Sequence, residues 1–356
     1  MNKKSWMPWL DSFSDNRKSK TCPEPCRRIE NLKWLGLSVI AFVLVVAGPV
    51  AQAQQPAKVA RIGFLGTESA SGYASNVEAM RAGLRELGYV EGKSIVIEYR
   101  WAEGKIDRLP ELAADLVGLK VAVIVTHGTP GTLAAKRAST TIPIVMATVG
   151  DPVVTGLVAS LARPGGNITG STTYAPDLNA KRLELLKEAV PRITKVAVLV
   201  NPDNPARESD FEPMEITARS LKLGLQQFEV RGPNEFADAF AAMAKRRVDA
   251  IAIFQDGMLN ANPRAIADLA AKHRLPSTGL KEFAEAGGLI GYGVNFPENY
   301  RRAAVFVDKL LKGAKPADLP IEQPTKFEFV INLKTAKQIG LTIPQWVLMR
   351  ADKVIK

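Results

Sequence analysis

The sequence predicts an α/β protein of two lobes, each built on a doubly wound parallel sheet. From residue 59 onward, short apolar runs alternate with amphipathic runs. The alternation breaks at the turn-forming residues 163–167 and then restarts, and the 356-residue chain is long enough for two domains. Because strictly alternating β and α units form parallel sheets with helices on both faces, each half predicts one such lobe.

The first half supplies four predicted strands and four predicted helices. The strands are short apolar runs at 59–65, 94–100, 121–126 and 142–147. A capping box, Ser75 with Glu78, begins the first helix, Met80 and Leu84 recur at helical spacing, and Gly88 ends it. Further helices are predicted at 109–119, 130–139 and 153–161.

The second half repeats the pattern and adds a tail. Helices are predicted at 178–190, 206–223, 236–244 and 261–273, and strands at 195–200, 225–230 and 250–254. In the tail, 289–293 is a short strand or a crossover, 300–311 and 333–339 are helices, and 327–331 is extended. We expect the chain to cross back to the first lobe near Gly291 and to the second near Phe327, since each apolar face needs a sheet to pack on.

The N-terminal residues predict an export signal. Residues 35–48 form an uncharged apolar run of 14 residues, shorter than the roughly 20 that span a bilayer. Pro49 follows, and Ala51-Gln52-Ala53 is a small-x-small cleavage site. We therefore predict a cleavable signal peptide at 1–53, cut after Ala53, and a periplasmic protein; an uncleaved anchor helix is the alternative.

Composition excludes several classes of function. Cys22 and Cys26 both lie in the predicted leader, which also carries eight basic and four acidic side chains, so its removal lowers the net charge from +11 to +7. The basic residues are scattered among acidic ones, which argues against nucleic-acid binding. The two histidines, His127 and His273, lie far apart, and no metal-ligand spacing, nucleophile elbow or phosphate loop is present. We therefore predict no catalytic residue, no metal and no cofactor.

A ligand site is predicted where the strand-end loops of the two lobes face each other. In open α/β sheets, ligands bind outside the carboxyl ends of the strands. With two tyrosines from the connecting segments, the candidate ligand-binding residues are Ser69, Ser71, Tyr73, His127, Gly128, Thr129, Asp151, Tyr174, Asn201, Asn204, Gln255, Asp256 and Tyr292.

Three pairs in these loops predict helix caps that suit an anion. Thr129-Pro130 has the pattern of an N-cap followed by an N1 proline, and Asp151-Pro152 and Asn204-Pro205 repeat it. Each pair could equally be a cap and nothing more. Asp256 is the candidate partner of a ligand cation such as an α-ammonium, with a solvated turn residue as the alternative. His127 could make binding pH-dependent.

Aromatic side chains near these loops could wall the pocket. Tyr73, Tyr174, Phe254 and Tyr292 stand at or beside strand ends. Each of them could instead pack in a core or a hinge.

Four segments resemble one known family. They are LARPGGNITG (161–170), KRLELLKEAVP (181–191), EFAEAGGLIGYG (282–293) and the stretch 312–344. They are similar to substrate-binding subunits of bacterial ABC transporters, of the group that resembles the tryptophan/tyrosine-binding proteins, and the resemblance covers 58–356. Where this chain has Ser277–Thr278 and Asp256-Gly257, the family shows an aromatic residue and a DP pair, so an aromatic amino-acid ligand does not carry over.

The resemblance implies the type I periplasmic binding fold, with three hinge crossovers and closure of the lobes around a small solute. It places the N-terminal lobe at 58–168 plus 292–322 and the C-terminal lobe at 171–290 plus 328–356. We predict a monomeric, non-enzymatic periplasmic component of an ABC importer, which binds an amino acid or related small molecule and delivers it to an inner-membrane ABC permease. A ligand sensor for a signalling receptor and a secreted enzyme on the same scaffold are the alternatives.

Overall fold

The computed structural model describes residues 59–173 and 175–356. The predicted signal peptide and Tyr174 lie outside the described residues. Two α/β lobes are present, which confirms the predicted fold class. Within the described ranges, none of the helices combines the length and apolar character that crossing a membrane requires.

The first lobe is built on a five-stranded sheet in which all strands are parallel, in the order β2-β1-β3-β4-β5. Its strands are β1 Ala60–Gly66, β2 Ile95–Trp101, β3 Val123–Thr126, β4 Ile144–Met146 and β5 Ile168–Gly170. Three of its helices follow these strands in the chain, namely α1 Ala74–Glu86, α2 Leu109–Gly118 and α3 Gly128–Ala138. Alternate residues of β1 bury on opposite faces, Phe64 in the cluster with α1 and Leu65 in the cluster with α2, so the sheet is covered on both sides.

The second lobe is built on a seven-stranded sheet in the order β12-β11-β10-β9-β8-β6-β7. Its strands are β6 Lys195–Val200, β7 Gly224–Glu229, β8 Ala250–Ile253, β9 Ser277–Gly279, β10 Ile290–Gly293, β11 Glu328–Asn332 and β12 Lys353–Ile355. Its helices are α4 Ala175–Ala189, α5 Arg207–Ser220, α6 Phe236–Lys245, α7 Gly257–Ala261, α8 Pro263–Lys272, α9 Lys281–Glu285, α11 Leu333–Gln338 and α12 Gln345–Leu348. The strand β11 runs antiparallel to β10, so the sheet is mixed at this edge and not purely parallel as predicted.

One helix of the tail returns to the first lobe. The helix α10, Phe296–Leu311, packs on α1 and buries Ala303 and Phe306 in the cluster that contains Phe64. A Cβ atom at Gly83 of α1 would lie 2.8 Å from the Arg301 carbonyl oxygen, so glycine permits this close approach. The first lobe is therefore completed by residues that follow most of the second lobe.

Three segments connect the lobes: one after β5, one between β10 and α10, and one between Glu322 and β11. We call them the hinge segments. The first and third run side by side, with the Thr172 amide donating to the Glu322 carbonyl at 2.9 Å and the Glu322 amide donating to the Gly170 carbonyl at 2.8 Å. The second crossing follows Gly293, two residues beyond the expected position near Gly291, because β10 remains paired in the second sheet up to that residue.

The predicted helix at 153–161 is wrong. The segment forms turns, in which the Asp151 side chain accepts from the amides of Val153 and Val154. Gly156 then adopts a φ of +67°, which ends the turn before a second one can form. Leu157 bends inward instead and is buried beneath the sheet of the first lobe.

Candidate ligand-binding site

The strand-end loops of the two lobes enclose a cavity with about 590 Å³ of empty space, part of it open to solvent. We call it the interlobe cavity. The first lobe lines it with Thr67, Glu68, Tyr73, Ile106, His127, Gly128, Thr129, Pro130, Thr148, Val149 and Gly150, and the start of α10 adds Phe296. The second lobe lines it with Asn201, Asn204, Ala206, Asp210, Gln255, Asp256, Gly257 and Asn260. The location follows the rule that ligands bind beyond the carboxyl ends of parallel strands.

The two lobes touch at the rim of the interlobe cavity. The Tyr73 hydroxyl, on the first lobe, donates to the Gly257 carbonyl on the second at 3.4 Å. A Cβ atom at Gly257 would lie 3.1 Å from Thr67 Oγ1 and 3.5 Å from Glu68 Oε1. The absence of a side chain at Gly257 thus allows the lobes to approach each other, and the structure represents a closed arrangement.

His127 is a neutral, buried part of the cavity wall. The Thr67 amide donates to its Nε2 at 3.3 Å, so Nδ1 carries the proton and faces Thr67 Oγ1 at 3.5 Å. Its ring packs against Tyr73 with centroids 4.2 Å apart, and Tyr300 lies at 6.0 Å. Burial lowers the pKa of His127 to about 3. The expectation that His127 changes charge near neutral pH is therefore wrong, because the folded protein keeps the ring neutral there.

The three predicted helix caps do not occur as expected. The helix α3 begins at Gly128, with His127 rather than Thr129 in the N-cap position. Asp151 caps only a turn, and α5 begins at Arg207, three residues after Asn204. The Asn204 side chain instead accepts from the Ala206 amide and donates to Asp256.

Asp256 is a buried carboxylate at the centre of a polar network. It caps the short helix α7, accepting from the amides of Met258 at 2.9 Å and Leu259 at 3.3 Å. Asn204 Nδ2 donates to it at 2.9 Å, and Asn201 Nδ2 lies 3.4 Å from both of its oxygens. Burial raises its pKa, and these hydrogen bonds oppose the rise. The alternative of a solvated turn residue is wrong, because only 5% of Asp256 is exposed.

Glu68 faces Asp256 from the opposite lobe. It is buried, and within the described part of the chain no hydrogen bond reaches its carboxylate. Burial, followed by repulsion from Asp256 and then from Glu103, raises the pKa of Glu68 to about 8. One carboxylate from each lobe therefore stands at this end of the cavity, with the Glu68 oxygens free to accept from a ligand.

Asp210 is a third carboxylate of the interlobe cavity. It lies in the first turns of α5 and is 2% exposed, and its Oδ1 atom has no hydrogen-bond partner among the described residues. Burial and then repulsion from Asp151 raise its pKa to about 7, against a smaller opposing effect of the Ser209 hydroxyl. A buried oxygen without a protein donor favours a ligand that supplies one.

Gln255 connects the cavity wall to the hinge segments. Its Nε2 donates to Thr173 Oγ1 at 2.6 Å, and its Oε1 accepts from Arg182 Nη2 at 3.3 Å. Arg182 is 1% exposed and also donates to the Tyr292 carbonyl at 2.7 Å and to Asn179 Oδ1 at 3.0 Å. Burial lowers the pKa of Arg182 to about 9. The Thr173 hydroxyl and the Arg182 guanidinium hold Gln255 in one orientation.

The structure brings most of the predicted site residues together. Those that line the interlobe cavity are Tyr73, His127, Gly128, Thr129, Asn201, Asn204, Gln255 and Asp256. Ser69 and Ser71 lie outside the lining and bond to each other, and Ser69 also accepts from the Gly72 amide. Asp151 caps its turn. Tyr292 stacks on Phe327 of the third hinge segment, with centroids 5.9 Å apart.

The predicted set lacks Glu68 and Asp210, and Phe254 does not form part of the wall. The strand-end rule already points to the loop that holds Glu68 and its carboxylate, beside Ser69. Asp210 lies inside a helix, where no strand-end signal exists. Phe254 is buried against Phe211 in the core of the second lobe.

Comparison with known proteins agrees with this architecture. The family model described as ABC transporter substrate binding protein matches residues 62–355. A tyrosine-binding protein of Clostridioides difficile is 25% identical over 259 residues, covering 72% of this chain and 74% of that protein.

Two solved structures are similar over most of the chain. The ABC domain from Streptococcus pneumoniae in complex with L-Trp is 27% identical, covers 84% of this chain and all of its own length (100%), and has a TM-score of 0.77. A conserved domain protein from Vibrio cholerae is 28% identical, covers 83% of this chain and 100% of its own, and has a TM-score of 0.78.

Proposed function

The chain belongs to the ABC transporter substrate binding protein family, and on this premise we propose that it is the periplasmic receptor of an ABC-type importer. It binds a small organic solute, an amino acid or a related molecule, in the interlobe cavity and presents it to an inner-membrane permease. The predicted leader at 1–53, cut after Ala53, would deliver it to the periplasm, where it acts as a monomer without chemical turnover.

The cavity between the lobes is the observation that carries this proposal. Its wall comes from both lobes, and polar groups from each side converge on it. A ligand held there contacts both walls only when the lobes are together, so its binding energy differs between the open and closed states. This difference shifts the population towards the closed state.

The lobes would move as the segments 58–168 with 292–322 and 171–290 with 328–356, except that residues 292 and 293 would move with the second lobe, because β10 remains paired there through Gly293. Rotation of one lobe on the other requires only that the hinge segments absorb changes in backbone angle. The contact between Tyr73 and Gly257 would break on opening, whereas the sheets would remain intact.

A ligand screen on the full-length chain tests the proposal. We expect one class among amino acids, amines, small carboxylates, purines and sugars to raise the melting temperature in a concentration-dependent way, since a ligand that binds only the folded state stabilises it. The bound compound should be recovered unchanged. Conversion of the compound would favour the secreted enzyme instead, and a screen without any shift would contradict the proposal.

A further inference from the structure

The charge of the interlobe cavity restricts the chemistry of its ligand. Three buried carboxylates line the cavity, those of Glu68, Asp210 and Asp256, whereas none of the lining residues in the described part of the chain is a lysine or arginine. His127 is neutral, as its hydrogen bond from the Thr67 amide requires at Nε2. A site of this composition attracts cations and repels anions.

The carboxylates form two separate groups. Glu68 interacts electrostatically with Asp256, whereas Asp210 interacts with Asp151, which lies beside the cavity on the first lobe. In both groups, one carboxylate belongs to each lobe. Closure therefore brings two carboxyl groups together at each of two places, and an ammonium group at each place would stabilise their ionised forms.

The unpartnered oxygen of Asp210 is a second observation that points to a ligand. Most of the hydrogen-bonding capacity of Asp256 is satisfied by Asn201, Asn204 and two amides. Asp210 Oδ1 is buried in the cavity wall and accepts no hydrogen bond from any described residue. Buried polar atoms of proteins almost always have a partner, so a donor on the ligand would complete this one.

We propose that the ligand carries two ammonium groups on a short chain, one held between Glu68 and Asp256 and the other by Asp210. This inference rests on the proposed function and names its substrate class. A short diamine and a basic amino acid share this chemistry. The amino acid has a carboxylate that the diamine lacks. For this carboxylate the cavity wall offers backbone amides and hydroxyls but no basic side chain.

Two matched pairs of probes test the proposal by calorimetric titration of the dialysed full-length chain. Cadaverine differs from pentylamine, and L-lysine from L-norleucine, by one distal amino group. We expect at least one of the two probes with two ammonium groups to bind about tenfold or more tightly than its matched partner, because a buried charge contact of this kind is worth more than about 1.4 kcal/mol. Tighter binding of cadaverine would identify a diamine, and tighter binding of L-lysine a basic amino acid.

The substitution Asp210→Asn should remove this preference, since it keeps the shape of the side chain and removes its charge. Asp268→Asn, at an exposed position of α8, is the control and should leave the preference unchanged. Equal binding within each pair, or an unchanged preference in Asp210→Asn, would overturn the proposal. The comparison of probes on the unsubstituted chain remains decisive if Asp210→Asn fails to fold.

The outcome also separates this proposal from the function on which it rests. If none of the four probes binds but another class in the screen raises the melting temperature, the proposal of a ligand with two ammonium groups is wrong and the receptor function stands. If no compound of any class binds, both fail.

Discussion

At the scale of single residues, His127 makes the stability of the protein sensitive to acid. Its pKa in the folded protein is about 3, below its ordinary value of 6.5. Between pH 6.5 and pH 3, the His127 ring is protonated in the unfolded chain and neutral in the folded protein. The free energy of unfolding therefore falls as the pH drops from 6.5 towards 3. The expected slope is up to about 1.4 kcal/mol per pH unit.

Urea unfolding of the protein and of His127→Gln at several pH values between 7 and 4 checks this expectation. The difference between the two curves isolates the contribution of His127 from that of the carboxylates. We expect the difference to shrink as the pH falls, and a constant difference would contradict the assignment of a neutral ring.

Glu68 has the opposite effect on stability. Its pKa in the folded protein is about 8, above its ordinary value of 4.5, so the folded chain retains a proton that the unfolded chain releases. The unliganded closed protein should therefore lose stability as the pH rises from 4.5 to 8. The substitution Glu68→Gln should flatten this part of the curve, as measured by urea unfolding without ligand at pH 5.5 and pH 8. An equally steep loss in Glu68→Gln would show that other groups cause it.

The residue scale also shows the limit of what sequence reasoning could find. A strand-end loop is recognisable in the sequence as the point where an apolar run stops. This signal located Tyr73, His127 and Asp256. Burial within a helix depends on which face meets the sheet and which meets the cleft. For Asp210 this is decided by the packing of α5 across the strands of the second lobe, and no local pattern encodes it.

At the scale of elements, the helix α4 contributes the buried side chain that orders the hinge. Arg182 donates to Tyr292 of β10, to Asn179 of its own helix and to Gln255 beyond β8. The substitution Arg182→Met keeps much of the volume but leaves these acceptors buried without a donor. We expect the free energy of unfolding to fall by about 1–3 kcal/mol, measured by urea titration.

The matched control is Arg264→Met on the exposed surface of α8. Among the described residues, Arg264 pairs only with Asp268, one turn away, and both side chains are largely exposed. Its loss should change stability by less than about 0.5 kcal/mol. If both substitutions had the same effect, the buried contacts of Arg182 would not be stabilising.

The sequence predicted the elements correctly where an apolar pattern extends over several residues. It predicted them wrongly where the backbone angle of a single residue determines where a helix begins or ends. The alternating apolar runs of β1, β3 and β6 located these strands because a buried parallel strand is apolar along its length. The segment after Asp151 has helical composition, yet a left-handed Gly156 ends it after one turn. Similarly, the chain turns at Gly128, where φ is +67°, and Thr129 lies inside the first turn of α3 rather than at its N-cap.

At the scale of the whole molecule, closure depends on the space at Gly257. The substitution Gly257→Val would place a branched side chain against Thr67 and Glu68 of the opposite lobe. Overpacking of this kind costs roughly 1–3 kcal/mol, and it acts only when the lobes are together. We expect an affinity loss of about tenfold, with a melting temperature close to that of the unsubstituted protein.

Small-angle X-ray scattering separates this effect from misfolding. The unliganded Gly257→Val protein should have a larger radius of gyration than the unsubstituted one, because its open state gains population. Gly232→Val serves as the control and should not change the radius, because a Cβ atom added at Gly232 would meet no neighbouring atom within 4 Å. An unchanged radius in Gly257→Val would contradict the role of this contact in closure.

The return of α10 to the first lobe has a consequence for biogenesis. The sheet β1–β5 is complete once Gly170 has been synthesised, but the helix that covers one of its faces with Ala303 and Phe306 follows more than a hundred residues later. A nascent chain therefore cannot bury this face until most of the polypeptide exists, and such non-local pairing slows folding. Late completion of the first core would keep the emerging chain loose until most of the polypeptide has been made.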